Sequence, residues 1–89
     1  MKGWVPLLVF SLGCAGSAAD HERLGDTAYG LGEYGTALEE YRAAARGDDR
    51  ARVWAKLAAA ALKSADLREA SEAYSRMASA DPTRATEAA

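Results

Sequence analysis

One pattern of small and aromatic residues occurs twice in this chain, 33 positions apart, and it restricts the possible folds. Within each copy the apolar residues lie at relative offsets 0, 3, 7, 10 and 11, which places them on one face of an α-helix. The composition also favours helices, because 22 of the 89 residues are alanine while valine occurs three times and isoleucine never. The two sets are Tyr34, Ala37, Tyr41, Ala44 and Ala45, then Leu67, Ala70, Tyr74, Met77 and Ala78.

A further helical pattern precedes each set, so the predicted order is helix A, helix B, helix A, helix B. The first of these patterns runs through Leu24, Ala28 and Leu31, and the second runs from Trp54 to Ala65. Residues typical of helix ends separate the four segments. They are Ser17 as the first N-cap, Gly30–Gly32 as the end of that helix, Gly47 as the end of the second, Asp48 or Asp49 as the third N-cap, Asp66 with Glu69 as a capping box, and Asp81–Pro82 as the start of a further short helix. We therefore predict an all-α fold.

The residues that mark a known repeat unit occur in both copies in the same order. In the second copy they read Trp54-x-x-Leu57-Ala58, Ala70-x-x-x-Tyr74 and Pro82; in the first they read His21-x-x-Leu24-Gly25, Ala37-x-x-x-Tyr41 and Asp49. Both copies resemble the tetratricopeptide repeat, a helix-turn-helix unit of about 34 residues. The departures are His21 for the aromatic residue, Ala28 and Ala61 for the tyrosine, Asp49 for the proline and Met77 for a small residue.

The resemblance implies a short α-solenoid of two helical hairpins. The domain of residues 20–82 would hold two repeats at about 18–50 and 51–84, and residues 83–89 would begin a short C-terminal helix or cap. Gly25, Ala37, Ala58 and Ala70 would be the small residues that let helices A and B approach closely. Because repeats of this kind usually need about three copies plus a cap, we expect marginal stability unless a partner, a second copy or a membrane tether assists.

In the tetratricopeptide family the A helices line a concave groove that holds a peptide or protein. The resemblance places in that groove Arg23, Asp26 and Tyr29 of the first repeat and Arg52, Lys56, Ala59, Leu62 and Lys63 of the second. No acidic residue lies between Arg50 and Lys63, so the second A helix is locally basic and suits an acidic segment or a C-terminal carboxylate. Asp26 and Ala59 stand where the carboxylate-clamp subclass has asparagines, so that specific activity is not predicted. The alternative is that these charges only solvate an exposed helix.

The first 14 residues are typical of an export signal. Met1 and Lys2 precede a short apolar run from Trp4 to Leu12, which is too short for the roughly 20 residues of a membrane-spanning helix. Gly13 and Cys14 resemble the end of a bacterial lipobox, although Ser11 stands where leucine is usual. This implies lipidation at Cys14, a flexible linker at residues 15–19, and a cell-envelope protein anchored to the membrane and facing the periplasm or the exterior.

Two alternatives for the N-terminal segment remain open. Cleavage after Ala19 would release a soluble periplasmic or secreted protein, and a misplaced start codon would leave a cytosolic one.

The sequence contains no pattern that favours catalysis or cofactor binding. Gly30-x-Gly32-x-x-Gly35 has the letters of a dinucleotide fingerprint, but a helix precedes it and no parallel sheet is predicted. His21 is the only histidine, and its neighbours Asp20 and Glu22 point in other directions on a helix. A net charge of −2 gives no reason to expect nucleic acid. We therefore predict no enzyme, no cofactor and no metal.

These observations together predict a protein-protein interaction module, an adaptor or scaffold of the bacterial envelope. The alternatives are a repeat protein that associates with itself and a fragment of a longer repeat array.

Overall fold

The structure, a computed structural model, describes residues 16–84, and this part of the chain is all-helical. Within that range there is no β-strand, which confirms the prediction of an all-α fold. The predicted signal peptide of residues 1–14, Cys14, and residues 85–89 lie outside the described residues. The elements are α1 (Ala18–Gly30), α2 (Tyr34–Gly47), α3 (Ala51–Lys63), α4 (Leu67–Ala80) and a 3₁₀ turn (Pro82–Arg84).

The backbone repeats with the period found in the sequence. Both bounds of α3 lie 33 residues after those of α1, and the same holds for α4 and α2. The turns inside the two hairpins also match, since the Glu33 amide donates to the Ala28 carbonyl and the Asp66 amide to the Ala61 carbonyl, each at 2.9 Å. Both turns are therefore helix C-caps of the Schellman type.

Consecutive helices pack together, α1 on α2, α2 on α3 and α3 on α4. The core between them consists mainly of alanine, and the largest fully buried side chains are only Val53 and Met77. Such small side chains let helix axes lie close together, which is the reason an alanine-rich sequence forms a packed array. The fully buried alanines of this core are Ala37, Ala44, Ala58, Ala60 and Ala61.

Gly25 allows the closest contact between α1 and α2. A Cβ at this position would lie 2.5 Å from a ring carbon of Tyr41, and Tyr41 is only 3% exposed. An alanine there would force the aromatic ring out of its place in the core. The role predicted for Gly25 from the sequence is thus confirmed.

The helix ends follow the sequence at some positions and depart from it at others. Ser17 caps α1 in a reciprocal capping box with Asp20, so this helix already includes Ala18 and Ala19, the last two residues of the predicted linker. The N-cap of α3 is Arg50, and the prediction of Asp48 or Asp49 was wrong. The Asp48 carboxylate instead accepts hydrogen bonds from the Arg50 amide and guanidinium.

The predicted capping box of α4 is only half formed. Asp66 accepts a hydrogen bond from the Glu69 amide at 3.1 Å. The Glu69 carboxylate does not return to the cap, because it binds the guanidinium of Arg42 on α2. At the end of the described chain, Asp81 accepts from the Thr83 amide and hydroxyl, and Pro82 begins a 3₁₀ turn of three residues.

Candidate partner-binding face

A cluster of four charged side chains joins α1 to α3. The Glu22 carboxylate accepts two hydrogen bonds from Arg52, at 2.9 and 3.0 Å, and one from Lys56 at 2.7 Å. Lys56 also donates to Asp26 at 2.9 Å. α1 and α3, which correspond to the two predicted A helices, therefore lie side by side. Three of the predicted groove residues, Asp26, Arg52 and Lys56, come together between them. We call Glu22, Asp26, Arg52 and Lys56 the ion-pair cluster.

Glu22 is the central group of the ion-pair cluster. Its side chain is only 12% exposed, and hydrogen bonds first from Arg52 and then from Lys56 lower its pKa from 4.5 to about 2. Burial alone would lower the pKa of Lys56, but its bonds to Glu22 and Asp26 raise it. Glu22 and Lys56 are therefore both charged at neutral pH.

The charges of the ion-pair cluster balance one another, two carboxylates against two cations. The sequence of α3 contains no acidic residue and therefore predicted a basic surface. The structure supplies acids from α1, so the positive character predicted for Arg52 and Lys56 is already neutralised inside the chain. An acidic partner would compete with Glu22 and Asp26 for these two cations.

The ion-pair cluster is also tied to the core. The Tyr41 hydroxyl donates a 2.6 Å hydrogen bond to Asp26 from α2. Burial is the main cause that raises the pKa of Tyr41 above its ordinary value of 10.0, and the bond to the Asp26 carboxylate raises it further. The hydroxyl therefore keeps its proton. Asp26 is therefore held from two sides, by a cation of α3 and a buried phenol of α2.

An aromatic contact involves α1, α2 and the end of α3. The rings of Tyr29 and Tyr34 meet edge to face with their centroids 5.1 Å apart. The ammonium of Lys63, at the end of α3, lies 5.6 Å from the Tyr34 centroid, within the range of a cation–π contact. The structure thus brings together Tyr29 and Lys63 of the predicted set, and we call them with Tyr34 the aromatic patch. The apolar spacing predicted Tyr34 as part of the buried stripe, so its place in the aromatic patch was not predicted.

The other predicted groove residues, Arg23, Ala59 and Leu62, belong neither to the ion-pair cluster nor to the aromatic patch. Arg23 pairs with Asp20 one turn away on its own helix at 2.6 Å. Ala59 is half-buried, and Leu62 is exposed beside Leu67 in a separate groove between α3 and α4.

A concavity bounded by α2, α3 and α4 was not predicted from the sequence. Its most distinct feature is the Arg76 guanidinium, which lies 5.1 Å from the Trp54 ring centroid. The Arg42–Glu69 ion pair forms part of its wall. The sequence marked Trp54 only as a repeat residue, and its contact with Arg76 was not predicted because the two residues are 22 positions apart.

Within residues 16–84 there is no group of three side chains suited to hold a metal ion. The His21 ring lies 2.8 Å from the Glu40 carboxylate and so links α1 to α2. None of the described helices has the length and apolar character needed to cross a membrane.

Comparison of the chain with family models, with curated proteins and with solved structures finds no match.

Proposed function

We propose that this protein is a tetratricopeptide-type adaptor of the bacterial cell envelope that binds a peptide or protein segment on the face formed by α1 and α3. The observation that supports it best is that the ion-pair cluster and two residues of the aromatic patch, Tyr29 and Lys63, lie on these two helices, with Tyr34 of α2 in contact with both. Tyrosines beside well-positioned charges are common in protein-binding surfaces, because they combine a large contact area with hydrogen-bonding groups.

The partner suited to this face is a segment with little net charge. The four charges of the ion-pair cluster sum to zero, so they offer hydrogen-bonding edges without a strong field. Arg52 is half exposed and Asp26 nearly so, which leaves one side of each group available to a partner. Tyr29 and Tyr34 add an apolar contact next to these edges.

Site-specific photo-crosslinking in cells tests this proposal. A photoreactive phenylalanine analogue placed at Tyr29 or Lys63 would sit on the proposed face, and the same analogue at Glu39 or Glu72 would sit on exposed parts of α2 and α4. We expect one discrete adduct from the first pair and none from the second. Equal labelling at all four positions, or adducts only from Glu39 and Glu72, would contradict the proposed face.

We further propose that the chain is held in the envelope by a lipid on Cys14. The N-terminal cap of α1 supports this choice between the two export alternatives. Cleavage after Ala19 would remove Ser17, the cap, together with the first two residues of the helix. Cleavage before Cys14 would keep the capping box intact. Loss of such an N-cap lowers the free energy of unfolding by about 1 kcal/mol.

Mass spectrometry of the membrane fraction tests the lipid anchor. We expect the mature wild-type chain to begin at Cys14 with the added mass of a diacylglyceryl group, and Cys14→Ala to abolish that species. Ser11→Leu is a matched control that brings the sequence closer to the lipobox and keeps the cysteine. A mature wild-type chain that begins at Asp20 without lipid would exclude this anchor.

A further inference from the structure

A shallow groove runs along the outer side of the second hairpin, where α3 and α4 meet. Its apolar part contains Leu67, which is 68% exposed, and Leu62, which is 46% exposed. The half-buried ring of Tyr74 lies beside them. The residues that line the groove are Leu62, Leu67, Ala70, Ser71, Tyr74 and Ser75. We call this surface the terminal groove.

The internal repeat shows what covers the equivalent surface of the first hairpin. Subtraction of 33 from the groove positions leads to Tyr29, Tyr34, Ala37, Leu38, Tyr41 and Arg42. There α3 packs on α2, and Leu38 and Tyr41 belong to the same buried cluster as Val53 and Leu57 of α3. The equivalent surface is thus the seat of the next A-type helix.

The opposite end of the molecule presents such a helix. α1 precedes α3 by 33 positions and is its equivalent in the internal repeat. Leu24 of α1 therefore corresponds to Leu57 of α3. Leu57 is buried at 3% exposure by the neighbouring helices, whereas Leu24 is 52% exposed. α1 therefore presents to solvent the side that α3 buries in the array.

We infer that the terminal groove binds α1 of a second copy of this chain, so that the copies join head to tail as the two hairpins join within one copy. Each copy has both complementary surfaces, and neither uses the ion-pair cluster or the aromatic patch. The contact is heterologous, because it joins two different surfaces. Each assembly keeps one unoccupied α1 and one unoccupied terminal groove, so further copies can add to form linear oligomers. This inference is independent of the proposed partner-binding face.

One charged side chain would be buried at such a junction, because Asp20 of α1 stands in the place of Val53, which is fully buried in α3. Within one chain, Glu22 and Asp26 of the earlier A helix face Arg52 and Lys56 of the later one. Between copies, the corresponding positions are Ala55 and Ala59 on one side and Ala19 and Arg23 on the other. These four positions, three alanines and one exposed arginine, bring no like charges together, and Arg23 is the ion-pair partner of Asp20 at 2.6 Å.

Mixing two singly blocked variants distinguishes this geometry from every symmetric dimer. Leu24→Lys places a charge on the α1 end, and Leu67→Lys places one in the terminal groove. Both leucines are more than half exposed, so the lysines are compatible with folding, which circular dichroism checks. Every variant keeps residues 1–15, so association through that segment would persist in all of them.

Sedimentation equilibrium of the full chain gives the readout. We expect the average mass of the wild type to rise steadily with concentration, and the association constant of each single variant to fall at least about tenfold. An equal mixture of the two variants is expected to form one-to-one complexes, because each supplies the surface that the other has lost. A wild type that stays monomeric at all concentrations would overturn the inference. So would single variants that associate like the wild type, or a mixture that stays monomeric.

A charge installed at Ala55 tests the register of the contact. Ala55 is the equivalent of Glu22, and it would face Arg23 of the next copy as Glu22 faces Lys56. We expect Ala55→Glu to strengthen association about twofold to fivefold and the matched Ala55→Lys to weaken it. Equal effects of the two substitutions would overturn this register.

Discussion

Gly32 and Ala65 occupy the same position in the two hairpin turns, with left-handed φ values of 78° and 62°. Glycine adopts this conformation freely, whereas the Cβ of alanine is crowded there at a cost of about 1 kcal/mol. The second turn therefore stores strain that the first avoids. The hydrogen bonds of the two turns are otherwise the same, so the pair is an internal comparison of one backbone site with two residues.

This comparison predicts opposite effects of two exchanges. Ala65→Gly is expected to raise the free energy of unfolding by about 0.5–1 kcal/mol and Gly32→Ala to lower it by about 1 kcal/mol, as measured by urea denaturation. Gly35→Ala, in an open helical position with no positive φ, is the control and is expected to stabilise. A loss of stability in Ala65→Gly would show that the turn is not strained.

At the residue scale the sequence was most informative where one position determines the geometry. Gly25 was predicted to permit close packing because the repeat pattern marks its position, and the structure places the Tyr41 ring against it. The role of Tyr34 was not visible, because the spacing that puts it on the buried face also fits a residue at the edge of that face. Its contact with Lys63 joins residues 29 positions apart.

At the scale of the elements, the contact between α1 and α3 is electrostatic and pH-dependent. The pKa of Glu22 is about 2 in the folded chain, against an ordinary value of 4.5. A carboxyl group with a lowered pKa stabilises the folded state above the ordinary value, and this stabilisation is lost as the pH falls through the folded value. The ion-pair cluster therefore loses its contribution between about pH 4.5 and pH 2.

Glu22→Gln is expected to lower the free energy of unfolding at pH 7 by about 1–2 kcal/mol, because it removes the carboxylate that Arg52 and Lys56 share. The variant is also expected to lose less stability than the wild type when the pH falls from 4.5 to 2. Urea denaturation at a series of pH values measures both effects. The exposed Glu72→Gln is the control, and parallel pH profiles for the wild type and Glu22→Gln would contradict this account.

The existence of the helices was predictable from the sequence, but the partners of their charged side chains were not. Apolar spacing and cap residues act within one element, and the hairpin boundaries follow from them. Glu22 meets Lys56 across 34 positions, and Arg42 meets Glu69 across 27, so only the packing of the hairpins creates these contacts. For the same reason Glu69, predicted as a cap residue, pairs with another helix.

At the scale of the whole molecule, an alanine core gives limited stability. Alanine buries little apolar area, and larger residues such as Leu24 and Leu67 remain exposed at the two ends of the array. We expect residues 16–89 to melt below about 65 °C. A higher melting temperature that is independent of protein concentration would contradict the prediction of marginal stability.

The N-terminal cap of α1 makes stability depend on where the chain is processed. A chain of residues 20–89 is expected to melt about 4–8 °C below one of residues 16–89, because it has no Ser17 and a shortened α1. Ser17→Ala in the longer chain removes the cap alone and is expected to account for most of the difference. Equal melting temperatures for the three proteins would show that the capping box adds nothing.

The exact recurrence of the helix bounds has a consequence for gene duplication. An in-frame copy of the codons for residues 34–66, inserted after codon 66, would preserve every turn, because the bounds recur at 33 residues. The salt bridges would not be inherited. The Arg52 and Lys56 of the new unit would face Ala55 and Ala59 of the old one, where the parental pair has Glu22 and Asp26. Two alanine-to-acid point mutations, at Ala55 and Ala59 of the old unit, would restore these pairs in the elongated protein.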